Sequence, residues 1–372
     1  MRFFWLIIWS CLGLAPPVSG VGSPASISVT EPTELLGQRI LYFEDPTGEE
    51  SYASIQNKAP ENWTISSQDI PTFGFTKSRF WLKMRIENPG SESAFRYLEA
   101  EYSHYDEIVF YVRRGQETKE IHLGDLKNFS ERLIPFRNFI IPLTIEAQSE
   151  IEVLISCKTS GPLFFPIQLW TPDGLTVAKA KGDHFAGYYY GLLLAMLCYN
   201  FFLLITTRRP FYLYYCLYIG GFVMFQASLH GFAFPLLWPN APGWANLCVA
   251  FFLGLSLFWM CVFTRNFLET RTQIPRADRL IQGLMLVSLT VMFLSIFVGY
   301  ATAVRLGTVA ALVLGLYLLG CSVYLLKRSY RPAYFYMLAF SMFLFGIVVN
   351  ALKQLGILPQ SFFAEYAIQI GP

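Results

Sequence analysis

The sequence predicts a multidomain membrane protein, an all-β sandwich followed by an α-helical transmembrane bundle. Three observations lead there. Apolar residues make up 54% of the 372 residues and charged residues only 15%, against about 25% charged in soluble domains. Hydrophobicity alternates with period two as far as Trp170, then runs in long apolar blocks from His184 onward. The charges concentrate before Asp183 and thin out after it. With a net charge of +2 and no run of one sign, the chain offers neither a basic nucleic-acid face nor an acidic tail.

The first element is a signal peptide, residues 1–20. Arg2 precedes an apolar run from Phe3 to Ala15, and the small residues Val18, Ser19 and Gly20 follow. The run is too short for a span, which needs roughly 20 residues. An uncleaved anchor is the alternative. Once the signal is removed, the exported region keeps only Cys157, so its stability rests on a hydrophobic core and not on a disulfide. Cys198, Cys216, Cys248, Cys261 and Cys321 fall in apolar stretches and read as buried small side chains.

The sandwich, residues 21–178, is read from alternation. Leu82, Met84 and Ile86 interleave with Lys83, Arg85 and Glu87 before the turn Asn88-Pro89-Gly90. Ile108, Phe110 and Val112 share one face, as do Ile151, Val153, Ile155 and Cys157. Phe139, Ile141, Leu143 and Ile145 form another such set, and Pro142 marks their strand as an edge. Short strands with turn signals between them, and no convincing helix, argue for a β-sandwich.

Six apolar stretches follow, near 185–205, 211–232, 244–263, 280–299, 306–326 and 333–352. Each is about 20 residues, enough to cross a hydrocarbon core as a helix. Alternate connectors hold Arg208 and Arg209, then Arg265, Arg271, Arg276 and Arg279, then Lys327, Arg328 and Arg331. The other set holds only Arg305 and Lys353. That bias places the arginine-rich connectors in the cytoplasm and the sandwich outside. Six spans then return the chain to the outside, where "SFFAEYAIQIGP" would rise only about 18 Å as a helix. It reads as the outer half of a truncated seventh helix, within a helical domain covering residues 184–372.

The two halves together resemble bacterial seven-transmembrane receptors that carry diverse intracellular signalling modules, with a type 2 extracellular sensory domain. In the sandwich the resemblance rests on "SRFWLKMRIEN" with Trp81 and Asn88, "YSHYDEIVFYV" with Asp106 and Tyr111, "LGDL" with Gly124 and Asp125, and "SERLIPFRNFIIPL" with Arg132, Arg137, Phe139 and Pro142. In the helical half it rests on "YYGLLLAMLCYNFFL", "RRPFYLYYCLY" and "FLETRTQIPRADRL". The resemblance implies a jelly-roll sandwich, similar to carbohydrate-binding modules, in the periplasm of a bacterial inner-membrane protein. It further implies an output module of histidine kinase or diguanylate cyclase type, in cis or as a partner, and a homodimer.

Nothing in the sequence points to catalysis, a cofactor or a metal. Phosphate-cradling glycine loops, nucleophile elbows and HExxH helices are missing, and His104, His122, His184 and His230 are scattered. Asp106 and Glu107 are adjacent and would point to opposite faces of a strand. Ligand binding is the better candidate. Tyr102, His104 and Tyr105 in "EYSHYDE" offer rings to a sugar face, Arg132 and Arg137 could pair with carboxylate or phosphate groups in bidentate fashion, and Trp63 and Trp81 add aromatic surface. The alternative puts Trp81 in the sandwich core and the arginines in surface ion pairs. Within the spans, Asn200, Gln226, His230 and Asn350 are expected to pack against neighbouring helices. The sequons at Asn62 and Asn128 read as chance matches. The reading is therefore a receptor embedded in the lipid bilayer that senses a small periplasmic ligand, a glycan or small acid. Rival readings are a transporter with an exported binding domain, which would show charges at mid-membrane depth, and, more weakly, a glycan-modifying enzyme.

Overall fold

The computed structural model describes residues 26–29, 33–297 and 300–354. The expected signal peptide and seventh helix lie outside these residues. The chain divides near Val177 into two compact units.

The first unit is an assembly of thirteen strands: β1 (Ser26–Ser28), β2 (Thr33–Leu35), β3 (Leu41–Asp45), β4 (Thr64–Ile65), β5 (Thr72–Phe75), β6 (Arg79–Asn88), β7 (Ala94–Ala100), β8 (Glu107–Arg114), β9 (Glu117–Leu123), β10 (Phe139–Ile145), β11 (Ser149–Lys158), β12 (Pro162–Phe164) and β13 (Ile167–Trp170). A seven-stranded sheet runs β4-β3-β6-β11-β8-β9, with β1 added parallel to β6. A four-stranded sheet runs β10-β7-β13-β2, and β12 pairs with β5. As Pro142 predicts, β10 is an edge with β7 as its neighbour in the sheet.

Period-two alternation produces the core directly. In the larger sheet Phe80, Cys157 and Ile108 form one cross-strand row, Leu82, Ile155 and Phe110 the next, and Met84, Val153 and Val112 a third. In the smaller sheet Leu98 faces Ile141 on one side and Leu169 on the other. These rows merge into one buried cluster, worth about 1.5–3 kcal/mol for each large side chain removed from water. Asn88 ties two turns together: its amide donates to the carbonyls of Glu92, Ile145 and Glu146 at 2.7, 3.1 and 3.1 Å, and its oxygen accepts from Gly90.

Two details depart from the sequence reading. A short helix, α1 (Tyr52–Gln56), interrupts the strands, capped where Ser51 Oγ accepts from the Ser54 amide. It belongs to a strap between β3 and β4 that covers the outer face of the larger sheet. Trp81 therefore fills a second cluster, with Leu41, Ile55, Trp63 and Leu154, and not the core between the sheets.

The strap is anchored by Asp45, which is 2% exposed. Its carboxylate accepts from the Thr47 hydroxyl at 2.8 Å and from the amides of Thr47, Gly48 and Glu50 at 3.2, 2.9 and 3.0 Å. Burial pushes its pKa up, but these hydrogen bonds outweigh it and hold the carboxyl below its ordinary 3.8.

The second unit is helical. The helices are α2 (Pro172–Thr207), α3 (Pro210–Leu229), α4 (Ala233–Leu237), α5 (Pro242–Phe267), α6 (Thr270–Gln273), α7 (Pro275–Phe297), α8 (Tyr300–Lys327) and α9 (Arg331–Gln354). By length and composition α2, α3, α5, α7 and α8 can cross a membrane, and α9 covers the sixth predicted stretch. Helix α2 begins thirteen residues before its predicted start (172 against 185), because Pro172 fits a first helical turn and Thr171 Oγ accepts from the Gly174 amide at 3.0 Å. Its outward side chains, Tyr188, Leu192, Leu194 and Phe202 among them, are exposed, as expected of a surface solvated by lipid.

Helices α3, α5, α7, α8 and α9 pack in succession, with α5 touching α3, α7 and α8. Small residues permit this. A side chain at Gly254 of α5 would meet the Ser288 carbonyl and Met292 amide of α7 at 2.8 Å, and one at Gly221 of α3 would touch the Ser256 backbone at 3.4 Å. At the arginine-rich end, Arg265 grips the buried Asp278 through Nε and Nη2 at 2.8 and 2.9 Å. Thr270 and Gln282 complete the carboxylate's hydrogen bonds at 2.6 and 2.7 Å. Arg208, Arg209, Arg271, Arg276, Arg279, Lys327, Arg328 and Arg331 are exposed.

Two outcomes follow from this packing. Asp45→Ala loses about 1–3 kcal/mol at neutral pH. Because the folded pKa is depressed, that stability is present above the unfolded value near 3.8 and is lost as pH falls through the folded one. Thermal unfolding of wild type and variant should therefore converge in acid. Gly254→Val places a branched side chain against rigid backbone, and the purified protein should lose about 1–3 kcal/mol of stability, seen as aggregation or a lowered unfolding temperature.

Candidate ligand site

The structure brings five of the seven predicted ligand residues to one end of the sandwich. Tyr102, His104 and Tyr105 lie in the loop between β7 and β8, and Arg132 and Arg137 in the loop before β10. Gly124 lets these loops meet, since a Cβ there would lie 2.3 Å from the Asp106 carbonyl. The Asp125 amide then donates to the Tyr105 carbonyl at 2.8 Å.

Tyr105 is fully buried, with its ring 5.0 Å from Tyr102, 6.0 Å from Phe139 and 6.0 Å from Phe165. Its hydroxyl donates to the Phe164 carbonyl at 2.7 Å, and burial pushes its pKa well above the ordinary phenol value. Tyr102 is half-buried and packs on Phe164 at 4.3 Å and His104 at 5.6 Å. His104 is buried, with Nδ1 3.8 Å from Asp125 Oδ2, and its carbonyl accepts from Thr159 Oγ1 at 2.9 Å.

Arg132 is buried too, so the expectation of a surface ion pair does not describe it. Its Nη1 donates to the carbonyls of Phe136 and Arg137 at 2.8 and 2.5 Å, and its guanidinium lies 4.3 Å from the centre of the Phe139 ring. Burial lowers its pKa to about 10, against the opposing pull of Asp125, and it stays a cation at neutral pH. Arg137 is half-buried and lies 5.1 Å from the Phe136 ring. Asp106 and Glu107 part as adjacent strand residues should. Asp106 accepts from the Ser160 amide at 2.9 Å, while Glu107 pairs with Arg79 at 3.0 Å. Burial raises the Asp106 pKa.

Trp63 and Trp81 belong elsewhere, in the cluster beneath the strap. Sequence reasoning passed over Asp125 as a site residue, although "LGDL" contains it, because nothing local reveals that it lies between His104 and Arg132. Glu99 and Asn138 were missed too: both are buried, and the Asn138 amide donates to Glu99 Oε1 at 2.7 Å. Among the membrane candidates, Gln226 is fully buried and reaches Tyr189 of α2 at 3.5 Å. Asn200 bonds instead within its own helix, to the Met196 carbonyl at 2.9 Å. His230 turns its ring nitrogen back to the Gln226 carbonyl at 2.9 Å. The side chain of Asn350 lies outside the described residues.

The arrangement separates two classes of residue: Tyr105, His104 and Arg132 hold the loops, while Tyr102 and Arg137 can meet a solute at their edges. Arg132→Ala strands two carbonyls and should lower stability by about 2–4 kcal/mol. Arg137→Ala, which strands neither of these carbonyls, should lower it by less. Thermal unfolding of the two variants reads the difference.

Residues 183–372 match the family described as 7TM diverse intracellular signalling, and residues 37–171 match 7TMR-DISM extracellular 2. No curated protein matches the chain. The first match covers the helical unit and more than half of the chain, and the second covers the β unit. Extracellular β-sheets followed by apolar helices are what this pairing requires, and the chain therefore belongs to the 7TM diverse intracellular signalling family, as a multi-pass receptor with an extracellular sensory domain and an intracellular signalling role.

Proposed function

We propose that the sandwich binds a small carbohydrate or carboxylate-bearing ligand in the periplasm, and that the helices relay the event across a bacterial inner membrane to a histidine kinase or diguanylate cyclase type of output. The chain's own role in this reading is sensing and not catalysis, with residues 21–178 as sensor, wound as a jelly roll, and 184–372 as relay. The family membership carries the receptor reading. The exposed arginines on alternate connectors support the orientation, since translocating them is costly.

Tyr102 and Arg137 are the proposed ligand contacts, backed by the buried Tyr105, His104, Asp125 and Arg132. A ligand there biases the relay only if it prefers one of two loop arrangements, by about 1–3 kcal/mol in typical allosteric systems. Phe139 begins β10 and touches both Tyr105 and Arg132, so a shift in the loops reaches the smaller sheet through one ring.

The test is titration of the full receptor in lipid nanodiscs with oligosaccharides and dicarboxylates, followed by calorimetry. Tyr102→Ala and Arg137→Ala should each weaken the measured affinity about tenfold or more, and Tyr102→Ala should also lower the unfolding temperature, because its ring packs on Phe164 and Tyr105. Unchanged affinity in both variants would sink the assignment. In membranes carrying the receptor with its output module, the same ligand should change phosphotransfer or cyclic dinucleotide synthesis.

A further inference from the structure

The turn between α8 and α9 gathers charge that its own elements do not neutralise. It spans Arg328–Tyr330, between a helix ending in Lys327 and one starting at Arg331. The Arg328 and Tyr330 amides both donate to the Leu325 carbonyl, at 3.1 and 3.2 Å, and Ser329 takes a left-handed φ of 57°. So tight a reversal keeps Lys327, Arg328 and Arg331 together, and all three are exposed. No Asp or Glu occurs between Asp278 and Glu365, so neither helix nor turn supplies a counter-charge. Among the described residues no carboxylate forms an ion pair with any of the three, whereas Arg265 has Asp278. Glu269, the exposed carboxylate of the connector between α5 and α7, meets the Tyr330 hydroxyl instead.

Arg328 is aimed along the membrane flank. Its guanidinium lies 4.7 Å from the centre of the Tyr324 ring, one turn back on α8. That contact folds it away from the connector and onto the side of a membrane-crossing helix. Tyr324 is 48% exposed, and Tyr334 and Phe335 in the first turn of α9 are 58% and 63% exposed. Exposed tyrosines at the end of a span belong at the headgroup level of a bilayer. Among the described residues nothing accepts a hydrogen bond from the Arg328 guanidinium. A planar, permanently charged fork with unspent donors suits the two non-bridging oxygens of a phosphodiester. Lys327 and Arg331 would repel a headgroup that carries its own ammonium, and the exposed rings suit acyl chains. An anionic phospholipid meets all of these demands.

We propose that the turn between α8 and α9 is a binding site for the phosphodiester of an anionic phospholipid, with Arg328 as its bidentate contact. Lys327 and Arg331 select the anionic head over a zwitterionic one. Loop charge bias sets the orientation of the spans but assigns no partner to any single cation. The site requires only that the helices cross a bilayer, so it stands apart from the ligand reading of the sandwich.

The experiment is native mass spectrometry of the full chain in an uncharged detergent, titrated with phosphatidylglycerol and with phosphatidylcholine of the same acyl chains. Wild type should bind phosphatidylglycerol more tightly. Arg328→Ala should weaken that binding about fivefold, the worth of one cation at an anionic membrane surface, and Arg328→Lys should fall between the two. Lys327→Gln combined with Arg331→Gln should shrink the preference between the lipids. Arg209→Ala removes an equally exposed cation from the connector between α2 and α3, and it should leave the phosphatidylglycerol Kd unchanged. Unfolding temperatures check that each variant folds; if Arg328→Ala does not, Arg328→Lys and the double variant decide. Equal affinity of wild type for the two lipids overturns the proposal and leaves these cations to an acidic protein surface. Unchanged phosphatidylglycerol binding in Arg328→Ala overturns it too. Equal losses in Arg328→Ala and Arg209→Ala do the same, because they reduce the effect to overall charge.

Discussion

Strand β6 has to be covered at Trp81 on its outer face as well as along its inner face, and much of the sensory unit follows from that constraint. Its inward side chains, Phe80, Leu82, Met84 and Ile86, meet the smaller sheet within one core. Its outward Trp81 is too large and apolar to leave in water, so a second covering is needed. The strap supplies it with Ile55 and Trp63, and the strap in turn holds its shape through the four hydrogen bonds accepted by Asp45. A conventional sandwich strand, wet on one side, would have required none of this. The outer cluster is where the fold spends residues that core packing alone does not explain.

The helical unit answers a different constraint. Lipid removes the hydrophobic drive between helices, so association depends on close contact and hydrogen bonding. Gly254 and Gly221 allow backbones to approach, and buried hydroxyls such as Thr264 and Tyr336 bond across helices at 3.0 Å. The Arg265–Asp278 pair, with Thr270 and Gln282, fixes the connector between α5 and α7. Such a pair is a device for geometry more than for net stability, since desolvating both charges offsets much of their attraction. A receptor relay needs helices with defined alternatives, and polar contacts of this kind define them.

The ligand-site residues show how binding and architecture compete for one set of side chains. The aromatic and cationic residues that sequence reasoning selects for a sugar or acid are also those that stabilise long loops. Tyr105 and Arg132 are largely committed to backbone carbonyls, leaving Tyr102 and Arg137 with edges to offer. Composition cannot distinguish these roles, because both use rings and donors.

The two-unit plan, the positions of the strands bearing Leu82, Phe110, Ile141 and Val153, the edge at Pro142, the six long helices and the sign of their connectors are all legible along the chain. Periodicity, hydropathy and loop charge are local, and each is readable within a window of ten to twenty residues. The tertiary structure alone decided that Trp81 faces outward beneath a strap, that Asp125 lies between His104 and Arg132, that Asn200 serves its own helix, and that Asp278 meets Arg265. Those outcomes depend on which distant segment covers a given face. A strand has two faces, and its own residues do not say what will come to lie on either.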